Sequence, residues 1–148
     1  MNLYGHRGGD TVDYTYSEGP VIVDLSVNAS WDGHVNDHLF DIENVVGSQF
    51  DDTFYSSTVP NYFDGGQGSD TYIFTPGFNS DTVANLQDGT DHIRLLQFGS
   101  ISYQSLLITP DIAGGSDVRI GGDSNSSDSI HVLGMNPGDL TADWFLFN

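Results

Sequence analysis

Gly65-Gly66-Gln67-Gly68-Ser69-Asp70-Thr71-Tyr72-Ile73 is the stretch of this 148-residue chain that decides its fold. It matches the pattern G-G-x-G-x-D-x-U-x at every specified position, with Tyr72 as the large apolar residue U. Glycines permit positive φ and tight turns, so backbone carbonyl oxygens can converge on one point, where the aspartate adds a charged oxygen. Such oxygen ligands on a loop suit a hard cation such as Ca²⁺. The Thr-Tyr-Ile-Phe run that follows favours a short strand.

The same frame of nine extends toward the N-terminus. Two further units, 47–55 and 56–64, precede the 65–73 unit without a gap. In these three units the aspartate position holds Asp52, Asn61 and Asp70, and the U position holds Phe54, Phe63 and Tyr72. A separate copy at 5–13 supplies Asp10. Contiguous units of this kind predict a stacked repeat architecture.

The acidic composition points to cation sites in loops. The net charge is −18, and 19 of the 21 acidic residues are aspartates, with Glu18 and Glu43 the exceptions. Aspartate is favoured where a short carboxylate must lie in a turn. Three basic residues cannot neutralise a run of phosphates, so we expect neither a nucleic-acid partner nor binding to an acidic membrane surface. With no cysteine, disulfides and thiolate metal sites are excluded.

The sequence predicts an all-β fold. With 18 glycines and five prolines, and no apolar recurrence at helical spacing, short β-prone runs punctuated by Gly, Asp, Asn and Ser dominate the chain. We expect one domain over 1–148, repeat-rich over 1–97 and with capping strands over 98–148. Residues 1–25 lack the basic start and apolar core of a cleavable signal peptide, and no apolar run is long enough to span a bilayer.

The repeats and the C-terminal end of the chain resemble those of a known family. The nonapeptides, the phrase Gly68-Ser69-Asp70-Thr71-Tyr72-Ile73-Phe74 and the ending Leu140-Thr141-Ala142-Asp143-Trp144-Phe145-Leu146-Phe147 are similar to those of RTX proteins, the haemolysin-type calcium-binding repeat family. The resemblance implies a parallel β-roll whose GGxGxDxUx turns bind calcium, capped by a C-terminal antiparallel β region. It also implies a non-catalytic module of a protein that leaves the cell by type I secretion, without an N-terminal signal peptide, and folds outside it on calcium.

The resemblance also implies a ligand set. Two nonapeptides make one coil in this family, so residues 18 apart would stack. Asp52, Asp70 and Asp88 would then line one edge, and Glu43, Asn61 and Asn79 the other. The implied calcium ligands are carboxylates or amides at Asp10, Asp52, Asn61, Asp70 and Asp88, with carbonyl groups presented by Gly47, Gly65, Gly66 and Gly68. Because the 47–55 and 56–64 units depart from the pattern, we expect about one to three sites, with affinities of ~10⁻⁴–10⁻³ M.

Plainer interpretations stay open for several of these residues. The 65–73 stretch could be an exposed glycine-rich hairpin, and Asp88-Gly89 could be an ordinary turn pair. Asp123-x-Asn125 departs from an EF-hand at both its glycine and its final glutamate position. His34 and His38 lie in a loop-like segment with no partnering glutamate, and no hydrolase or nucleotide-binding motif is present. We therefore expect no enzyme activity in this chain itself.

Trp31 suggests an alternative function. It lies between Ser30, Asp32 and Gly33, and an exposed indole in a polar segment can stack on a sugar. The alternative to a purely calcium-binding module is therefore a polysaccharide-binding accessory module of a secreted epimerase, lyase or adhesin. Under both functions we expect calcium ions as partners. A polysaccharide or an attached catalytic domain is the further expected partner.

Overall fold

A computed structural model describes residues 1–87, 89–121 and 127–148. Over these residues the chain is all-β, with two three-residue 3₁₀ helices, at Tyr103–Ser105 and Ala142–Trp144. The strands are β1 (Asn2–Tyr4), β2 (Thr11–Asp13), β3 (Ile22–Asp24), β4 (Ala29–Trp31), β5 (Asn36–Phe40), β6 (Asn44–Val46), β7 (Thr53–Tyr55), β8 (Tyr62–Asp64), β9 (Thr71–Phe74), β10 (Ser80–Ala84), β11 (His92–Leu95), β12 (Leu107–Pro110), β13 (Gly115–Arg119), β14 (Ser129–Leu133) and β15 (Phe145–Phe147).

The strands form two sheets between which the chain alternates. The first sheet has the order β1-β5-β4-β3-β7-β9-β11-β15, and the second has the order β12-β13-β14-β10-β8-β6-β2. From β6 to β11 each strand lies in the opposite sheet from the strand before it, so neighbours within a sheet are two strands apart in the chain and run parallel. The predicted all-β fold with parallel sheets is confirmed.

Each nine-residue unit folds as a turn followed by a short strand, because one inward residue per strand is enough to fill the space between the sheets. The U residues Phe54, Phe63 and Tyr72 are fully buried. Their ring centroids are 5.7 Å apart for Phe54 and Phe63 and 5.5 Å apart for Phe54 and Tyr72. Aromatic pairs at such distances add to the stability that burial provides. In these units the core is therefore a column of rings from both sheets, and aliphatic side chains extend it on either side.

Two regions depart from the predicted organisation. Strands β3, β4 and β5 pair antiparallel, and this excursion within the repeat-rich part was not predicted. The C-terminal region is antiparallel only through β12, β13 and β14. Beyond that the prediction of an antiparallel cap is wrong, because β14 pairs parallel with β10 and β15 pairs parallel with β11. Apolar residues such as Ile130 and Phe145 continue the core column there, which favours further parallel stacking.

Candidate metal centre

The residues that precede the strands form two columns, one along each edge of the sandwich. Strand register aligns Val21, Asp52, Asp70 and Asp91 on the edge where the chain crosses from the second sheet to the first. The same argument aligns Asp10, Glu43, Asn61 and Asp81 on the opposite edge. Acidic side chains are thus held in rows by the stacking of the turns.

On the first edge, each carboxylate bonds to the coil before it. The Asp52 N–H donates to Asp70 Oδ1 at 2.9 Å, and the Asp70 N–H donates to Asp91 Oδ1 at 2.9 Å. The row begins at Val21, whose N–H donates to Asp52 Oδ1 at 2.8 Å. These bonds satisfy backbone donors that the turns would otherwise bury.

The opposite edge is built similarly from more varied side chains. The Asp10 N–H donates to Glu43 Oε2 at 3.0 Å, and the Asn61 N–H donates to Asp81 Oδ1 at 2.8 Å. The Asn61 amide also donates to the Glu43 carbonyl at 3.2 Å. One oxygen of Asp81 is therefore engaged in the same way as one oxygen of Asp70.

The bonding of the second carboxylate oxygen differs between two kinds of turn. In most turns this oxygen accepts the N–H of the residue four positions earlier, as in Ser48 to Asp52 Oδ2 at 2.5 Å and Gln87 to Asp91 Oδ2 at 2.8 Å. Asp10 and Asn61 are bonded in the same way, by His6 and Ser57. Among the described residues, Oδ2 of Asp70 and Oδ2 of Asp81 have no hydrogen-bond partner, although both side chains are fully buried.

A glycine with positive φ explains this difference. Gly66 and Gly77 stand four positions before Asp70 and Asp81, with φ of +90° and +88°. Their N–H groups point elsewhere, from Gly66 to Asp64 Oδ1 at 3.2 Å and from Gly77 to Asp128 Oδ2 at 2.8 Å. The turn that frees a carboxylate oxygen is therefore one that only glycine adopts readily.

Burial raises the pKa of these carboxyl groups, because no positive charge in the described part of the chain offsets the loss of water. Desolvation raises the pKa of Asp70 to about 7, and the nearby carboxylates of Asp91 and Asp52 add to the rise. Desolvation likewise raises the pKa of Asp81 to about 8. Burial also raises the pKa of Asp52 and of Asp91, but hydrogen bonds from the backbone oppose that rise. An ionised carboxylate at Asp70 or Asp81 therefore calls for a positive charge close by.

Successive turns on the first edge pack backbone against backbone. A Cβ on Gly66 would come closer than 3.0 Å to the Ser48 carbonyl oxygen, and one on Gly68 equally close to the Phe50 carbonyl oxygen. A Cβ on Gly47 would meet the Gly65 carbonyl oxygen and Asp52 Oδ2, and one on Gly65 would meet Asp70 Oδ2. All four predicted glycines thus lie where carbonyl and carboxylate oxygens crowd together.

This donor set fits calcium. The unpartnered atoms are carboxylate oxygens, and in the turns around Asp70 the crowded groups are backbone carbonyls, which are ligands that Ca²⁺ accepts in numbers of six to eight. Within the described ranges, no three His, Asp or Glu side chains cluster as a metal site. A cation at Asp70 or Asp81 would therefore depend on main-chain oxygens, and those are what stacked turns present.

The predicted residues are only partly brought together. Asp52 and Asp70 stack as expected, with Thr53 opposite Thr71 in the register. Asp88 lies outside the described residues, and the register makes Asp91 the equivalent of Asp70 instead. On the other edge the assignment of Asn79 is wrong, because Asp81 follows Asn61 in the column.

Asp81 was missed because the repeat frame shifts after residue 73. From Asp70 the next two column residues follow at 11 and 10 positions instead of nine. A signal was nevertheless present in Gly77-x-x-x-Asp81-Thr82-Val83, which repeats the spacing of Gly66-x-x-x-Asp70-Thr71-Tyr72. Asn79, with φ of +77°, takes the place that Gly68 has in the earlier turn.

Trp31 lies away from these turns, on the outer face of the first sheet. It belongs to β4, and 43% of its surface is exposed. Together with Ile22, Asp24 and Asn36 it lines a shallow depression of about 120 Å³.

Comparison with known proteins adds no assignment: no protein-family model matches the chain, and no curated protein matches it significantly. Neither helix in the described part of the chain has the length and apolar character needed to cross a bilayer.

Proposed function

We propose that this chain is a calcium-binding module of the RTX type, a parallel β-roll that completes its folding when calcium occupies turns along its edges. The observation that carries the proposal is the pair of buried carboxylates, Asp70 and Asp81, each with one oxygen that no described group satisfies. A fold that buries such groups at its regularly stacked turns is suited to take up cations there.

The chain's own residues account for coupling between binding and folding. Asp70 on one edge and Asp81 on the other would each hold a cation, together with backbone carbonyls. Bound calcium would supply the positive charge that lets both carboxylates ionise in the interior. Without it, the carboxylates and a net charge of −18 oppose the compact state. Binding free energy then becomes folding free energy.

The resemblance implies that such a module works outside the cell, as part of a type I-secreted protein. Sites on extracellular modules work at ~10⁻⁴–10⁻³ M calcium, a range in which they stay empty at cytosolic concentrations. A chain that remains loose before export and folds after it would fit this gradient. The module would then support the stability of an attached catalytic domain.

Calorimetric titration with calcium chloride, followed by circular dichroism, tests the proposal. We expect binding at millimolar to submillimolar concentrations, with a gain in β signal. Asp70→Asn and Asp81→Asn each keep the side-chain shape but remove the buried charge, so each should weaken binding and flatten the calcium dependence of the melting temperature. Asp143→Asn removes the same charge from an exposed position and should bind calcium as the unmodified chain does.

A chelator experiment provides the opposing outcome. If the circular dichroism spectrum and the melting temperature are unchanged when calcium is removed, the proposal is wrong. It is also wrong if calcium binds equally well to the Asp70→Asn and Asp81→Asn variants.

A second candidate, binding of a polysaccharide at Trp31, is favoured by the exposed indole beside Asp24 and Asn36 in one depression. Aromatic rings stack on sugar faces, while carboxylate and amide groups can bond to sugar hydroxyls. The Trp31→Ala variant should no longer be retained on neutral and acidic polysaccharide gels. The Phe40→Ala variant, which loses an exposed ring elsewhere on the sheet, should still be retained. Equal retention of both variants would exclude this site.

A further inference from the structure

A polar cluster on the outer face of the second sheet is separate from the carboxylate columns. It is formed where β10, β14 and β13 lie side by side, and it joins a serine to a histidine and two aspartates. Ser80 Oγ is 3.0 Å from His131 Nε2, and His131 Nδ1 is 3.6 Å from Asp117 Oδ1 and 3.6 Å from Asp111 Oδ2. Register places Ser80 opposite Ser129, and His131 opposite Asp117.

The hydrogen bonds of this cluster have a consistent direction. Ser129 Oγ donates to Ser80 Oγ at 3.2 Å. The single hydroxyl proton of Ser80 can point to His131 Nε2 when the ring carries its own proton on Nδ1, the nitrogen that faces the two carboxylates. This is the tautomer that lets the histidine accept a proton from the serine.

The carboxylate that faces the ring is held in place. Asp117 is 8% exposed, and its Oδ2 accepts a bond from Arg119 Nε at 3.0 Å. Its Oδ1 and His131 Nδ1 are both buried and have no hydrogen-bond partner among the described residues. Each is therefore available to the other, and a spacing of 3.6 Å is within what unliganded sites show before substrate tightens them.

We propose that Ser80 is a nucleophile toward activated acyl and phosphonyl esters, with His131 as its base and Asp117 as the residue that positions the ring. Ser80 Oγ would attack the carbonyl carbon while its proton passes to His131 Nε2. The alcohol or phenol would then leave with that proton, giving an acyl-serine. Water would attack the acyl-serine, with His131 taking one proton and returning it to Ser80, to release the acid.

The setting limits the substrate to small or terminal acyl groups. His131 has 34% of its side chain exposed and Ser80 is half-buried, so the reacting atoms can be reached from solvent. In the described part of the chain these side chains lie on a sheet surface, so an ester whose leaving group is already good is the expected substrate class. Ser129 Oγ lies 3.2 Å from Ser80 Oγ, so its hydroxyl can turn from Ser80 to the substrate oxygen that becomes negative.

A fluorophosphonate probe tests this chemistry, because Ser80 Oγ would displace fluoride from phosphorus as its proton passes to His131. The chain is treated in excess calcium chloride, and the adduct is located by tandem mass spectrometry. We expect one adduct per chain, on Ser80. Loss of a general base costs about 10²–10⁴-fold in rate, so His131→Asn should slow labelling to that extent.

Two further measurements keep the test decisive. His38→Asn removes an exposed histidine from the other sheet and should label at the unmodified rate. Asp117→Asn should slow labelling and shift its pH profile, as expected of a positioning residue. The proposal is overturned if mass spectrometry of the unmodified chain finds no adduct on Ser80, or if folded His131→Asn labels at the same rate. Neither result bears on calcium binding, which uses different side chains.

Discussion

Asp52 and Asp70 hold the same position in consecutive coils, and one hydrogen bond separates their roles. Both carboxylates accept the backbone N–H of the coil before. Only Asp52 also accepts the N–H of the residue four positions earlier, Ser48. Asp52 is thus a structural acceptor, whereas Asp70 keeps an oxygen that can hold a cation.

Asp52→Asn tests this division between the two residues. The amide loses one acceptor, so one buried N–H from Val21 or Ser48 is left without a partner, at a cost of about 1–3 kcal/mol. Because that loss does not involve the cation, we expect the same fall in unfolding free energy by urea titration with and without calcium. Asp70→Asn is the matched comparison. A loss that depends on calcium for Asp52→Asn would contradict its structural role.

Within a turn, the close stacking of neighbouring backbones also determines which residues the turn tolerates. Gly66 and Gly77 have nearly the same φ, but a Cβ on Gly66 would strike the Ser48 carbonyl, whereas a Cβ on Gly77 would have nothing within 4 Å. The two positions therefore separate the cost of positive φ from the cost of parting two coils.

Alanine at each glycine measures these two costs. We expect Gly77→Ala to lose about 1–3 kcal/mol of unfolding free energy, since the strained φ is its main penalty. Gly66→Ala should lose more than Gly77→Ala, because the Ser48 carbonyl must also move. Gly138→Ala, with ordinary φ and open space around it, serves as the control. Equal losses at positions 66 and 77, by urea titration in excess calcium, would mean that the turns do not stack as closely as described.

Across the whole molecule, the buried carboxyls predict how stability changes with pH in the absence of calcium. The pKa values of Asp70 and Asp81 are raised from 3.8 to about 7 and about 8. Between these limits the folded chain binds more protons than the unfolded chain, so stability falls as pH rises. The contribution is complete below about pH 4 and is lost as pH passes through about 7 and 8.

Thermal melts in a chelator, from about pH 5 to about pH 9, check this direction. We expect the melting temperature to fall along the series, and the double variant Asp70→Asn, Asp81→Asn to show a flatter profile. A melting temperature that rises with pH in the calcium-free chain would contradict the burial of these carboxyls.

How far the sequence predicts the molecule depends on where the frame of nine is unbroken. From Gly47 to Ile73 the spacing is regular, and the stacking of Asp52 under Asp70 and the inward Phe54 and Tyr72 follow directly. Past residue 73 the turns lengthen, so counting by 18 selects Asn79 where the register selects Asp81.

Other features depend on contacts that no local pattern encodes. Strands β3, β4 and β5 contain no nonapeptide, and their antiparallel pairing goes through two turns, one at Asn28 with φ of +56° and one at Gly33 with φ of +90°. Ser80 and His131 are 51 positions apart, and only the pairing of β10 with β14 brings them together. Their chemistry therefore could not be read from spacing.

The turns of unequal length have a consequence for engineering. Between Asp70 and Asp81 the chain carries two residues beyond the frame, yet β10 keeps its register with β8. The turn between β9 and β10 can therefore accept inserted residues while the strands keep their register, since exposed loop tips tolerate insertions. A short epitope grafted between Thr75 and Gly77 would be displayed there, and, if calcium drives folding as proposed, a chelator would unfold this presentation scaffold.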